Sequence, residues 1–249
     1  MTDKIYSTDA YAKTVISTVL DVDSDDGRVL LDKTVFYPGG GGQPHDLGVL
    51  SLGDDVFDVT RVDSDGDDVW HWLEGGLPPA GSIVHGIVDW DRRYRLMRTH
   101  TAMHALCGVI WNRFQSPVTG GNMRPGEGRL DFELPQWQPE FKLEVERELV
   151  AQLGRTLPIN VEFLDRETAD QDPSLIRTKV SLLPPGLTTV RVIDIVGLDR
   201  QADGGTHVAS TSEVGSIRIG KVESKGKGFR RIRIVLDEPE VQQPQRTPS

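Results

Sequence analysis

One change of hydrophobic period, near residue 90, limits this 249-residue chain to few architectures. Ahead of it, short segments alternate apolar and polar side chains over residues 14–20, 29–36, 48–52, 56–62, 69–73 and 81–88, with Gly, Asp and Pro turns between them. Alternation at period two with tight turns is the pattern of a small closed β-barrel. From residue 91 to about 114 the apolar positions return every three to four residues, which predicts a helix. A strand near 128–133, an amphipathic helix over 139–156, and strands at 160–164, 190–196, 216–223 and 230–236 are predicted after it. The fold class is therefore expected to be α+β. A small β-barrel over residues 1–90 precedes an α/β two-layer module over 91–240, and the polar, Pro-containing tail 241–249 is expected to be disordered.

No apolar run approaches the ~18 residues of a membrane span. The N-terminus lacks the basic-then-apolar layout of a signal peptide. A single cysteine, Cys107, excludes an internal disulfide and suits a reducing cytosol. A cytoplasmic protein with no membrane partner is expected. The net charge of −10 argues against a nucleic-acid partner only until its distribution is read. Residues 1–90 hold 5 Lys and Arg against 17 Asp and Glu, whereas residues 91–249 hold 23 against 21. The acidity gathers in polar turns at 21–26 and 63–68, expected to be solvated hairpin tips. Residues 218–233 instead carry seven cations against Glu223 alone. Lys221, Lys225, Lys227 and Arg230 flank glycines there that let backbone and ammonium groups approach a phosphate, so they are the candidate RNA contacts. Arg92, Arg93, Arg95 and Arg98 form a second basic group at the start of the long helix, where Arg stems also serve packing.

Chemistry enters with the stretch Arg98-Thr99-His100-Thr101-Ala102-Met103-His104 and a second, Ala202-Asp203-Gly204-Gly205-Thr206-His207. Histidines four apart on a helix share one face. Asp203 and His207 repeat that spacing around a Gly-Gly turn. Either stretch alone also suits a packed pair or a simple turn. Here, though, Leu96, Ala102, Leu106, Val109, Ile110 and Phe114 already give the helix an apolar stripe, so it does not need two histidines to pack. Three imidazoles and a carboxylate make a nitrogen/oxygen set suited to Zn2+. Cys107 lies one turn past His104 and is read as packing. The helix lacks the Glu that follows the first histidine of a zinc protease, so a peptidase is disfavoured.

With these motifs the chain resembles the free-standing alanyl-tRNA editing proteins of medium length, relatives of the editing domain of alanyl-tRNA synthetase. The HTAxH helix is one part of the likeness. Others are Leu31 to Pro38 leading into Gly39-Gly40-Gly41-Gly42-Gln43-Pro44-His45, then Gly121-Asn122, Gly128-Arg129-Leu130-Asp131-Phe132, and the GGTHVASTSEVG stretch from Gly204 to Gly215. They stand in the family's order and span roughly residues 5–236. One departure is clear: the family's usual cysteine before GGTH is Asp203 here.

The resemblance implies a hydrolase that deacylates mischarged tRNA-Ala, chiefly Ser-tRNA-Ala and otherwise Gly-tRNA-Ala. It implies one Zn2+ per chain on His100, His104, Asp203 and His207, and no ATP. Serine differs from alanine by one hydroxyl, which an apolar pocket discriminates poorly. An editing pocket should therefore hydrogen-bond that hydroxyl. Thr119 is the expected sensor, with Gln43 and Thr101 as further polar candidates, and Gln43 and Thr119 are the expected catalytic-site residues. Four protein ligands would close a tetrahedral site, so Asp203 is the ligand expected to swing away. Whether Asp203 binds the metal directly, and which group activates the water, the residues leave open. An RNA-binding module with a structural zinc, and a zinc esterase for another aminoacyl-tRNA, are the alternative readings.

Overall fold

A computed structural model describes residues 1–179 and 186–237, so the tail 241–249 lies outside the described residues. In chain order the elements are β1 (Asp3–Lys4), β2 (Thr14–Asp23), β3 (Arg28–Leu31), β4 (Lys33–Thr34), β5 (Gly48–Leu52), β6 (Asp55–Asp65), β7 (Asp68–Glu74), β8 (Ile83–Val88), α1 (Trp90–Phe114), β9 (Val118–Arg124), β10 (Glu127–Glu133), α2 (Phe141–Leu153), β11 (Ile159–Asp165), α3 (Arg166–Asp170), β12 (Thr189–Ile195), β13 (Asp199–Ala202), β14 (Ile217–Ser224) and β15 (Phe229–Leu236). The fold is α+β, as the change of period predicts.

Six antiparallel strands close a barrel in the order β2-β3-β7-β6-β5-β8. Alternation sets its inside: Val15, Val19, Val29, Leu31, Leu50, Val59, Val69 and Val84 fill the interior. The acidic turns at residues 24–27 and 66–67 are hairpin tips between barrel strands. Asp89 caps α1 by accepting the Arg92 N–H at 3.1 Å. The helix therefore begins at Trp90, one residue before the expected start.

The second layer is the sheet β14-β15-β10-β9, on which α1 and α2 pack. A three-stranded sheet, β11-β12-β13, stands on the other side of α1. Because α1 is enclosed from both sides, every residue from Leu96 to Ile110 is buried. The apolar stripe is thus not set against an exposed histidine face; both faces are interior. Gly108 lets the helix approach the chain ahead of β13, since a Cβ there would lie 2.8 Å from the Leu198 carbonyl oxygen. Strand β9 is absent from the sequence expectation. No helix among the described residues is long and apolar enough to cross a membrane.

Barrel and helix are joined by a buried ion pair. Arg93 and Asp46 have no exposed side-chain surface. The Arg93 guanidinium donates to both Asp46 oxygens and to the Val35 and Ala10 carbonyls. Asp46 also accepts the Tyr37 N–H at 2.6 Å. Arg93 is therefore structural, as is buried Arg98, whose guanidinium donates to the Val214 carbonyl. Neither can face a phosphate, which corrects the expectation for that half of the arginine group.

Candidate metal centre and cavity

The two histidine-bearing stretches meet. His100, His104, Asp203 and His207 each direct one ligand atom inward, all within 4.8 Å of one another. His207 Nε2 lies 3.1 Å from Asp203 Oδ2, and His100 Nε2 lies 3.6 Å from Asp203 Oδ1. Burial pushes the His100 imidazole down to about 4, although Asp203 opposes the shift. Burial and the neighbouring imidazoles of His100 and His104 hold His207 well below its usual value. Burial alone would raise the Asp203 carboxyl, but the facing imidazoles and the His207 hydrogen bond bring it well below the usual carboxylate range. Imidazoles gathered around one carboxylate are a donor set that fits a divalent metal ion.

The back of each imidazole is held by a partner, as metal-binding histidines require. Behind His100 stands Gln43, whose Oε1 is 3.0 Å from Nδ1. The Gln43 amide has one possible orientation: its Oε1 accepts the Thr206 N–H at 3.0 Å and its Nε2 donates to Thr206 Oγ1 at 2.8 Å. His100 must then carry its proton on Nδ1, which leaves the Nε2 lone pair facing the cluster. Gln43 is buried and absent from the cavity lining. Its place is behind the ligand rather than against a substrate. Thr101 stands similarly behind His207, 3.1 Å from Nδ1, and not in the cavity. Behind His104 is a group that sequence reading missed, the buried Asp199 carboxylate, 3.5 Å from Nδ1. Gln201, also missed, donates to Asp199 at 2.6 Å and lies 3.1 Å from the same ring nitrogen. Their only signal was a second Asp four residues before Asp203.

The Asp203 loop is fixed in its turn. Asp203 Oδ2 accepts the Gly205 N–H at 2.6 Å, while Arg191 Nη1 donates to the carbonyls of Asp203 (3.0 Å) and Gly205 (2.8 Å). This anchoring opposes the expected swing of Asp203 away from the cluster and leaves Oδ1 facing His100 and His104. Gly205 passes hard against the site, since a Cβ there would sit 2.5 Å from His100 Nδ1 and 2.8 Å from Gln43 Oε1. Gly205→Ala is accordingly expected to displace the His100 ring and weaken binding of added Zn2+ by about tenfold or more, as losses behind a ligand do. Competition against a chelating dye would measure it. Gly39 to Gly42 form a shaped loop, with φ between 57° and 127° at all four. The turn is closed by reciprocal backbone bonds between Gly40 and Gln43. It presses on the site from the barrel side: a Cβ at Gly41 would meet Asp203 Oδ1 at 3.4 Å.

His100, His104 and Asp203 open onto a cavity of about 800 Å³. Gly41, Gly42, Met103, Val118, Thr119 and Leu130 are among the residues that line it. Thr119 is the extra residue of a β-bulge, between the pairs Gly120↔Asp131 and Val118↔Phe132. Bulges of this kind re-aim a side chain. Cys107 is buried and lines the same cavity, one turn beyond His104.

The basic hairpin of β14 and β15 divides into two sets. Arg231 makes a two-bonded pair with Asp131 at 2.7 Å, and Arg233 and Lys221 pair with Glu223 at 3.0 and 3.2 Å. Lys225, Lys227 and Arg230 form no ion pair with a carboxylate among the described residues. Their turn leads to Phe229, which Lys179 of the cavity lining approaches at 5.8 Å.

Comparison with known proteins agrees with this geometry. A family model described as the threonyl and alanyl tRNA synthetase second additional domain matches residues 190–233, which include Asp203 and His207. Another, described as tRNA synthetases class II (A), matches residues 7–92. The chain is 36% identical to the alanyl-tRNA editing protein AlaX-M of Methanosarcina barkeri over 243 residues, covering 95% of this chain and 99% of that protein. Its identity to the AlaX-M protein of Saccharolobus solfataricus is 35% over 235 residues, covering 93% and 98%. It is also 37% identical to the alanine–tRNA ligase of Hyperthermus butylicus, over 94% of this chain but 25% of the ligase. Similarity along almost the full length of both partners, with the family's motifs gathered at one cavity, places this chain in the family of AlaX-M alanyl-tRNA editing proteins.

Proposed function

We propose that this protein is a cytosolic, zinc-dependent hydrolase that deacylates mischarged tRNA-Ala, with Ser-tRNA-Ala as its main substrate. The observation that carries the reading is the buried His100, His104, Asp203 and His207 cluster at the wall of a cavity, in a chain of this family. We take residues 1–90 and 91–240 as its two domains, a division supported by barrel closure at Val88 immediately before α1.

A bound Zn2+ would supply a Lewis acid for the ester carbonyl and a water of lowered pKa. His100, His104, Asp203 and His207 hold the ion, while Gln43, Thr101 and Asp199 keep the imidazoles oriented. Met103, Val118 and Leu130 exclude bulk water from the acyl group. The Thr119 hydroxyl takes the seryl hydroxyl, which alanine lacks. Among the described lining residues no carboxylate besides Asp203, and no imidazole outside the cluster, is available as a base. In this reading the ribose hydroxyl beside the ester carries the proton. Lys225, Lys227 and Arg230, with Lys221 beside them, meet acceptor-stem phosphates.

The test is deacylation of seryl-, glycyl- and alanyl-tRNA-Ala alongside metal analysis. Fast hydrolysis of the seryl ester and slow hydrolysis of the alanyl ester are expected; equal rates would remove the assignment. Thr119→Val should slow the seryl reaction by on the order of tenfold, the usual cost of a lost specific hydrogen bond. Neutralising Lys225, Lys227 and Arg230 together should raise KM and flatten its salt dependence without changing metal content. An unchanged salt slope would move the RNA to another face.

A further inference from the structure

His104, Gly108 and Trp111 share one face of α1, four and three residues apart. Gly108 admits a carboxylate to that face. A Cβ there would lie 2.9 Å from Asp199 Cβ, closer than two carbon atoms pack. Asp199 therefore rests over the turn that separates His104 from Trp111. Its side chain has no exposed surface; Oδ2 accepts the Gln201 amide at 2.6 Å and lies 3.5 Å from His104 Nδ1.

A carboxylate taken wholly out of water needs a counter-charge as well as hydrogen bonds. Arg177 supplies it, with Nε 3.3 Å from Asp199 Oδ1 and a side chain only 10% exposed. The guanidinium carbon lies 4.4 Å from the centre of the Trp111 ring, so one helix face carries both the carboxylate and its counter-ion. The main chain of Arg177 is fixed separately. Its carbonyl accepts the Val118 N–H at 2.8 Å, and the Lys179 N–H donates to the Val118 carbonyl at 2.9 Å. Arg177 is thus tied by its backbone to the strand that bears Thr119, and by its side chain to the carboxylate behind His104.

We propose that Arg177 is a positioning residue for the metal centre: its charge keeps the Asp199 carboxylate seated against α1, and Asp199 in turn fixes the His104 ring toward the cluster. Arg177 touches neither the ion nor a substrate in this role. The proposal rests on the reading of the cluster as a metal site, and is independent of which ester is hydrolysed.

The readouts are the rate of Zn2+ release from the loaded protein to a chelating dye and the visible spectrum of the Co2+-loaded protein. Arg177→Met keeps an unbranched stem over Trp111 and removes the charge. It is expected to speed release by about tenfold or more, as losses behind a metal ligand do, and to change the Co2+ absorption. Arg177→Lys restores the charge and should recover much of the loss; release as fast as in Arg177→Met would overturn the role of the charge. Asp199→Asn should speed release by itself, and Arg177→Met added to it should change little, because the two residues act in series. Additive effects would overturn the link through Asp199. Gly108→Ala tests that link from the helix side, since its Cβ displaces Asp199 while Arg177 is retained, and it covers the case of an Arg177→Met protein that does not fold. Release at the native rate in Gly108→Ala would overturn the proposal.

The preference for the seryl over the alanyl ester should be unchanged in Arg177→Met, whose backbone bonds to Val118 remain. Loss of that preference together with the metal would mark Arg177 as merely structural. Native-rate release in Arg177→Met would overturn the positioning role while leaving the deacylase reading standing. Arg177-dependent release in a protein that deacylates none of the three tRNA esters would do the reverse. A native protein that takes up no Zn2+ overturns both.

Discussion

His104→Ala is expected to strip most of the Zn2+ from the protein and to lower kcat/KM for Ser-tRNA-Ala by on the order of 10³ or more, since metal catalysis is removed with the ion. Two imidazoles and one carboxylate hold the ion poorly, and the Asp199 carboxylate behind residue 104 is left without its imidazole. Asp203→Cys should keep or tighten Zn2+, because thiolate is the softer ligand. Burial keeps His100 unprotonated down to a pH of about 4, so the native site should retain metal through the neutral range and release it only under acid conditions. Metal stoichiometry by mass spectrometry and single-turnover deacylation check these outcomes together. Stoichiometric Zn2+ in the His100→Ala/His104→Ala double variant would show that α1 is not the metal platform.

Asp46→Ala is expected to cost about 3–5 kcal/mol, because it leaves the Arg93 charge buried without its counter-ion. In a chain of this size that corresponds to a fall in Tm of roughly 10 °C. Asp46 also anchors the end of the Gly39 to Gln43 loop through the Tyr37 N–H, so weaker metal binding should accompany the lost stability. The Asp46→Leu/Arg93→Met double variant should recover much of the Tm, since apolar replacement of both partners removes the uncompensated charge. A fall of less than about 2 °C in Asp46→Ala would mean that the pair does not hold the barrel to the helix.

Much of the fold was legible because its signals are local. Period-two segments ended where Gly and Asp ended them, and all six expected barrel segments correspond to strands. The helical period marked α1 to within one residue at its start. Strand β9 was not expected, and its Gly120 and Gly121 are held extended by pairing with β10. The reason is physical: Gly121 packs closely against Leu130, whose Cδ2 would lie 3.1 Å from a Cβ there, and close packing is not visible in local propensity. Strand β13 escaped as well, because four residues with three polar side chains carry no periodic signal. The hairpin charges were visible, but not that Arg231 and Arg233 are taken up by Asp131 and Glu223.

The sequence by itself determined the α+β class, the barrel and the four residues that could share a metal, because period and i,i+4 spacing are properties of a few consecutive residues. Tertiary structure decided what those residues can do. Gln43 meets Thr206 across 163 positions of sequence and so selects the His100 tautomer. Asp199 backs His104 only because β13 lies along α1. Arg93, one of four similar arginines in sequence, became a buried strut because its side chain entered the joint between barrel and helix. A side chain's role depends on which partners desolvate it and which hydrogen bonds remain to satisfy it, and those partners come from distant segments that only packing brings together.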